Sequence, residues 1–229
     1  MKTITKTAIA GGTGLLAAYF LLIRPQQSKC KAALLKSEEV QEKFNRLPLK
    51  AHHFLAGIPM HSLDYLQLKG GREKLTIAEI YNATGLSDMS NVELGFGTKA
   101  LFGLRTLIGK VMHWDEVPEL VETNSYLSRL GEAERAKSLI PPGEIRGISR
   151  VLYCYENEML LEIINQTVHC FWLLASEPTA DGYGLYNAVY VKHLNWRTPI
   201  YMTLISPILK EVIYPAIDKS MQQNWERYS

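Results

Sequence analysis

Apolar and polar residues alternate through Tyr153–Ser176 in a way that leaves neither side plainly wet. Counting by twos puts Leu161, Ile163, Asn165, Thr167, His169, Phe171 and Leu173 on one face. The other carries Leu160, Glu162, Ile164, Gln166, Val168, Cys170, Trp172 and Leu174. With bulk on both faces, Met159–Ser176 is predicted to be one long strand bearing an Asn–Thr–His ladder, either buried or lining a cavity. Gly147–Tyr155 predicts a strand before it, and Glu156-Asn157-Glu158 a turn. Pro178 to Gly182 turns the chain into a third strand, Tyr183–His193.

The period then changes to that of a helix. Ile200, Met202, Leu204, Ile205, Ile208, Leu209, Val212, Ile213, Ala216 and Ile217 predict a long apolar helix from Thr198 to about Trp225. Pro207 and Pro215 are expected to kink or break it, because proline removes a helical donor and crowds the preceding turn. The fold class that follows is α+β: an antiparallel meander with a terminal helix burying its apolar face on the sheet. A sheet curved around such a helix leaves a cavity between the two.

Upstream, residues 32–46 predict a short helix closed by Pro48, and 75–84 fits either a strand or a short helix. Lys99–Trp114 reads as an amphipathic helix. A second helical pattern covers 124–139 and ends at Pro141-Pro142-Gly143. Residues 50–64 are mixed and predict no element.

The first 31 residues differ in kind. Ala8–Ile23 is uncharged, with Lys2 and Lys6 before it and Arg24-Pro25, Lys29 and Lys31 after. It is slightly shorter than the ~20 residues that span a typical bilayer. No small-residue cleavage site follows cleanly, so the expectation is an uncleaved single-pass anchor over 1–31, in the endoplasmic reticulum membrane, with a globular domain over 32–229. The flanking charges are nearly balanced and leave the orientation open.

Composition narrows the partners. Twenty-five Lys and Arg against 23 Asp and Glu give a net charge of +2 with no basic tract, which argues against nucleic acid. The hydrophobic fraction of 47% is ample for a full core. Cys30, Cys154 and Cys170 lack paired spacing, so neither a disulfide framework nor a zinc site is implied. His52, His53, His61 and Asp64 carry no metal-site spacing either. There is no nucleophile elbow, and Gly95-Phe96-Gly97 lacks a dinucleotide site's third glycine, so no cofactor is implied.

His169 is the leading candidate for chemistry, with Asn165 and Thr167 beside it. An imidazole titrates near neutrality and can polarise a carbonyl, and a buried polar ladder is costly unless satisfied or used. A core histidine held by its neighbours is the alternative. Tyr153, Tyr155, Phe171, Tyr186 and Tyr190 on the flanking strands, with His113-Trp114 at the end of the amphipathic helix, are candidate substrate-binding residues or plain packing. Glu162, on the opposite face from His169 in this register, is expected to pair with Arg150.

Several separated blocks carry a resemblance: PPGE at 141–144, RVLYCYENEMLLEIINQTVHCF at 150–171, YNAVYVKH at 186–193 and TPIYMTLISPILKEVIYPAI at 198–217. In this order they resemble the DUF2867 family, a domain of unknown function, over roughly 95–226. That family is similar to the SRPBCC superfamily, the helix-grip proteins of START and Bet v 1 type. The general look of the chain also resembles a fungal natural-product cyclase. The resemblance implies a curved sheet gripping the C-terminal helix around an apolar cavity. Lipid carriers and cyclases share that shape, so it does not name a reaction. The expected function is a membrane-anchored, cofactor-free cyclase or isomerase, Diels–Alder chemistry included, acting on a hydrophobic terpenoid or polyketide intermediate. The alternative is a non-catalytic lipid or sterol binder.

Overall fold

A computed structural model describes residues 37–87, 124–164, 168–195 and 197–229. The expected anchor, the Lys99–Trp114 helix, His113, Trp114, Asn165 and Thr167 lie outside these residues. Among the described residues no helix is long and apolar enough to cross a membrane.

The elements run α1 (Ser37–Arg46), α2 (Lys50–Phe54), β1 (Met60–Lys69), α3 (Ile77–Ala83), a 3₁₀ turn (Tyr126–Arg129), α4 (Glu132–Ala136), β2 (Ile145–Arg146), β3 (Ser149–Cys154), β4 (Glu158–Ile164), β5 (His169–Thr179) and β6 (Gly182–Lys192). A helix then closes the chain in three parts: α5 (Arg197–Ile208), a π-helical turn (Leu209–Ile213) and α6 (Tyr214–Tyr228). The six strands form one antiparallel sheet in the order β1-β6-β5-β4-β3-β2. The α+β class, the meander and the terminal helix are as the pattern predicted.

Three expectations change. Met159–Ser176 is a hairpin rather than one strand: the chain reverses after Ile164, and Ile164 pairs with His169, Glu162 with Phe171 and Leu160 with Leu173. The reversal inverts the face count, so Glu162 and His169 share a face. Met60–Lys69 is a full strand where no element was expected. The 124–139 pattern yields only the 3₁₀ turn and the five-residue α4.

Strand alternation sends side chains to two separate cores. One face carries Leu66, Leu68, Val151, Met159, Leu161, Leu174 and Leu185, packed against Ile213, Ile217, Met221 and Trp225 of the terminal helix and Ile77 and Ile80 of α3. The other carries Leu160, Phe171, Leu173, Tyr186 and Ala188, covered by Val40 and Phe44 of α1, Ala51 of α2, and Tyr126. The sheet is thus the middle of three layers.

The terminal helix is fastened at its far end. The Trp225 indole N–H donates to the Lys69 carbonyl at 2.8 Å, at the end of β1. The Asn224 amide donates to the Thr84 carbonyl at 3.1 Å, behind α3. Gly71, at φ +90°, admits the Trp225 ring where a Cβ would lie 2.7 Å from it. At the other end the helix widens into its π turn two residues before Pro215. A proline has no N–H for the carbonyl four residues back, and the wider turn carries the chain past it without a break.

Candidate functional site

The predicted site residues that are described gather on the α1/α2 face, away from the terminal helix. His169 is fully buried, and its Nε2 lies 2.8 Å from Glu162 Oε1. The same carboxylate accepts the Tyr126 backbone N–H at 2.8 Å and the Ser125 hydroxyl at 2.6 Å. The His169 ring packs on Phe171 and Tyr126 at 4.3 and 5.2 Å between centroids. Arg129 lies 3.5 Å over the Tyr126 ring. No ion pair joins Glu162 to Arg150 among the described residues; the carboxylate's partners come from the 3₁₀ turn and His169 instead.

The tyrosines are equally engaged. Tyr153 donates to Glu158 at 3.1 Å and stacks on Tyr155. The Glu158 carboxylate also accepts the N–H groups of Lys50 and Ala51 at 2.7 and 3.2 Å, fixing the start of α2. Burial nevertheless raises its pKa. Tyr186 donates to Glu177 at 2.7 Å, and Tyr190 is buried, its hydroxyl pushed up to about 12 by burial. The layer that holds His169 is built of side chains in mutual contact.

A different constellation lies on the terminal-helix side. Where β1 begins, a bulge between Met60 and Ser62 shifts the register against β6. Opposite it, the π turn presents Lys210. Between them is a cleft of about 380 Å³ lined by Gln41, Met60, His61, Ser62, Leu63, Asp64, Lys210 and Tyr214. β1 is an edge strand, so the cleft opens at the side of the sheet. Its volume lies at the small end of the range for ligand sites.

The electrostatics of the cleft follow from burial. Burial lowers the His61 pKa, and the Lys210 charge lowers it further, so the imidazole is neutral at pH 7. Its Nε2 is buried with no hydrogen-bond partner. Burial raises the Asp64 carboxyl, against a downward pull from Lys210. Burial also raises the Tyr214 hydroxyl, and the His61 ring meets that tyrosine edge-on at 6.3 Å.

Asp218 of α6 stands behind Asp64. It is 6% exposed, and burial, reinforced by the Asp64 charge, pushes its carboxyl up to about 7. Asn187 of β6 donates to it at 3.4 Å and accepts the Trp172 indole N–H at 2.6 Å. Asn187 is directly across from Asp64 in the β1–β6 register, which brings the two carboxyls together. A buried carboxylic acid that titrates near neutrality can give and take a proton without a metal.

The periodicity did not mark Asp218, although a signal was present. Ile213, Ile217, Met221 and Trp225 form an i, i+4 stripe, and Asp218 adjoins it as an acid inside the buried face. His61 and Asp64 were weighed only as metal ligands. The structure separates them from His52, whose Nε2 lies 3.1 Å from the Phe44 carbonyl oxygen.

The family model described as "Protein of unknown function (DUF2867)" matches residues 74–216, more than half of the chain. No curated protein and no solved structure matches it. The chain belongs to the DUF2867 family. The matched region includes Trp172, Asn187, Lys210 and Tyr214; His61, Asp64 and Asp218 flank it.

Proposed function

From this family membership and the cleft at the β1 edge, we propose that the protein is a cofactor-independent isomerase or cyclase acting on a hydrophobic small molecule of terpenoid or polyketide type. The observation that carries the reading is the placement of Asp218. It is a buried acid, tied through Asn187 to Trp172, behind a cleft whose walls combine Met60, Leu63 and Tyr214 with Lys210 and His61. Its titration near neutrality supports the same role. Such a group can protonate a carbonyl or alkene and recover the proton from a neighbouring carbon, which leaves the molecular formula unchanged. Confinement in the cleft would hold the substrate in its reactive conformer. Lys210 would stabilise negative charge developing on a carbonyl oxygen.

On this reading the terminal helix lying across the antiparallel sheet is the helix-grip arrangement, with the cleft at its open side. The apolar Ala8–Ile23 segment would hold the protein at a membrane, where greasy intermediates concentrate. The chemistry moves from the His169 layer to the opposite face, because His169 is enclosed while Asp64 and Lys210 border open space.

The test uses conservation of mass. The full-length protein is incubated with a hydrophobic extract of cells lacking its gene, and the products are followed by mass spectrometry. An isomerase consumes one compound and yields another of identical formula, and Asp218→Asn slows the conversion at least about 100-fold. Recovery of a bound compound chemically unchanged would instead identify a carrier and overturn the reading.

A further inference from the structure

We infer that the cleft holds a subsite for a carboxylate, and that the substrate is therefore a hydrophobic carboxylic acid rather than a neutral hydrocarbon or alcohol. The inference rests on the proposed site and names what that site recognises.

A cationic group and a ring nitrogen without a partner line the same cleft. Lys210 is exposed, lines the cleft and makes no ion pair among the described residues, which leaves its charge free to attract an anion there. His61 lines the same cleft with its Nε2 buried and unpartnered, a deficit that carries a free-energy cost unless a ligand removes it. The neighbouring Lys210 charge favours the neutral imidazole, which can donate its Nε2 proton to an oxygen. An ammonium and a ring N–H lining one cleft match the two oxygens of a carboxylate.

The carboxyls already present need to be reconciled with a third. Burial raises the carboxyls of both Asp64 and Asp218. A bound carboxylate would raise Asp64 further, and uptake of a proton there removes the repulsion. The polar groups lining the subsite are then His61, Ser62 and Asp64 from β1, Lys210 and Tyr214 from the terminal helix, and Gln41 from α1, with Asp218 and Asn187 buried behind Asp64. The apolar part of the ligand would lie on Tyr214, with the head group at Lys210.

The full-length protein is titrated by calorimetry with decanoate and, separately, with decanol. Decanoate is expected to bind at least ten times more tightly than decanol. Lys210→Met should erase that preference while leaving decanol unaffected, and Lys210→Arg should retain it. In the wild-type protein decanoate, but not decanol, should shift the His61 ring resonances; this reading stands even if Lys210→Met fails to fold. Equal binding of acid and alcohol, no binding of either, or an unmoved His61 ring would overturn the inference. Absence of a carboxylate preference in the wild-type protein, with the isomerisation intact, would sink the subsite alone. A retained preference without any isomerisation would sink the proposed reaction alone.

Discussion

Glu162 and His169 meet at 2.8 Å across the β4–β5 hairpin, on the side of the sheet away from the terminal helix. The contact exists because the chain turns between them. In a single strand their odd separation would send them to opposite faces. The carboxylate joins three elements, since it also takes the Ser125 hydroxyl and the Tyr126 N–H. Glu162→Ala would leave those donors buried without an acceptor. The expected loss is at least about 3 kcal/mol, summed over donors at 1–3 kcal/mol each. Urea denaturation measures it; a loss below about 1 kcal/mol would show that the knot is not structural. His169→Phe should likewise lower stability while leaving any isomerisation rate within about twofold.

Asp218 makes stability depend on pH with a definite sign. Its native carboxyl titrates near 7, against 3.8 for an ordinary aspartate. Between these values the folded state keeps a proton that the unfolded chain has released. Stability therefore falls as pH rises from about 4 to about 7, and levels off above that. The full difference is up to about 4 kcal/mol at 1.36 kcal/mol per unit. Asp218→Asn should flatten this slope in denaturation curves taken from pH 4 to 8. An unchanged slope would place the source elsewhere, with Asp64 the first group to test.

The hairpin joining β5 and β6 should not tolerate a side chain at Gly182. Its φ is +147°, and a Cβ there would lie 2.2 Å from the Leu68 carbonyl oxygen. Gly182→Ala is expected to cost more than about 2 kcal/mol, combining backbone strain with displacement of β1. Since β1 carries His61 and Asp64, ligand binding should weaken together with the melting temperature. A neutral substitution would contradict this register.

The α3 cap offers a milder check. The Thr76 hydroxyl accepts the Glu79 N–H at 3.3 Å, and Glu79 returns by accepting the Thr76 N–H at 2.8 Å. Thr76→Ala should cost about 1 kcal/mol. Because α3 packs under the far end of the terminal helix and not at the cleft, decanoate affinity should be unchanged. A shift of more than about threefold would show that the two ends of the helix are coupled.

These elements also show what could be read before any coordinates. The strands at Ser149–Cys154 and Gly182–Lys192 and the terminal helix were legible because apolar periodicity and turn residues agreed at each. The reversal between β4 and β5 was not, because the sequence from Ile164 to His169 contains neither glycine nor proline and alternates in phase with its flanks. That single reversal places Glu162 on the same face as His169, where uninterrupted alternation would put them on opposite faces. β1 escaped notice because His61, Ser62, Asp64 and Gln67 interrupt its apolar residues; it is a half-buried edge strand that lines a cleft. Its polar residues obscured the element and, for the same reason, mark the site. The prolines marked the segmentation of the terminal helix, which is divided by a π turn between Pro207 and Pro215.

The account depends most on Asp218 being an acid that still holds its proton near neutrality. Carbon-13 titration of aspartate-labelled protein, with Asp218→Asn to assign the signal, reads this directly. The account predicts a carboxyl midpoint near 7. A midpoint near 4, that of an exposed aspartate, would contradict it.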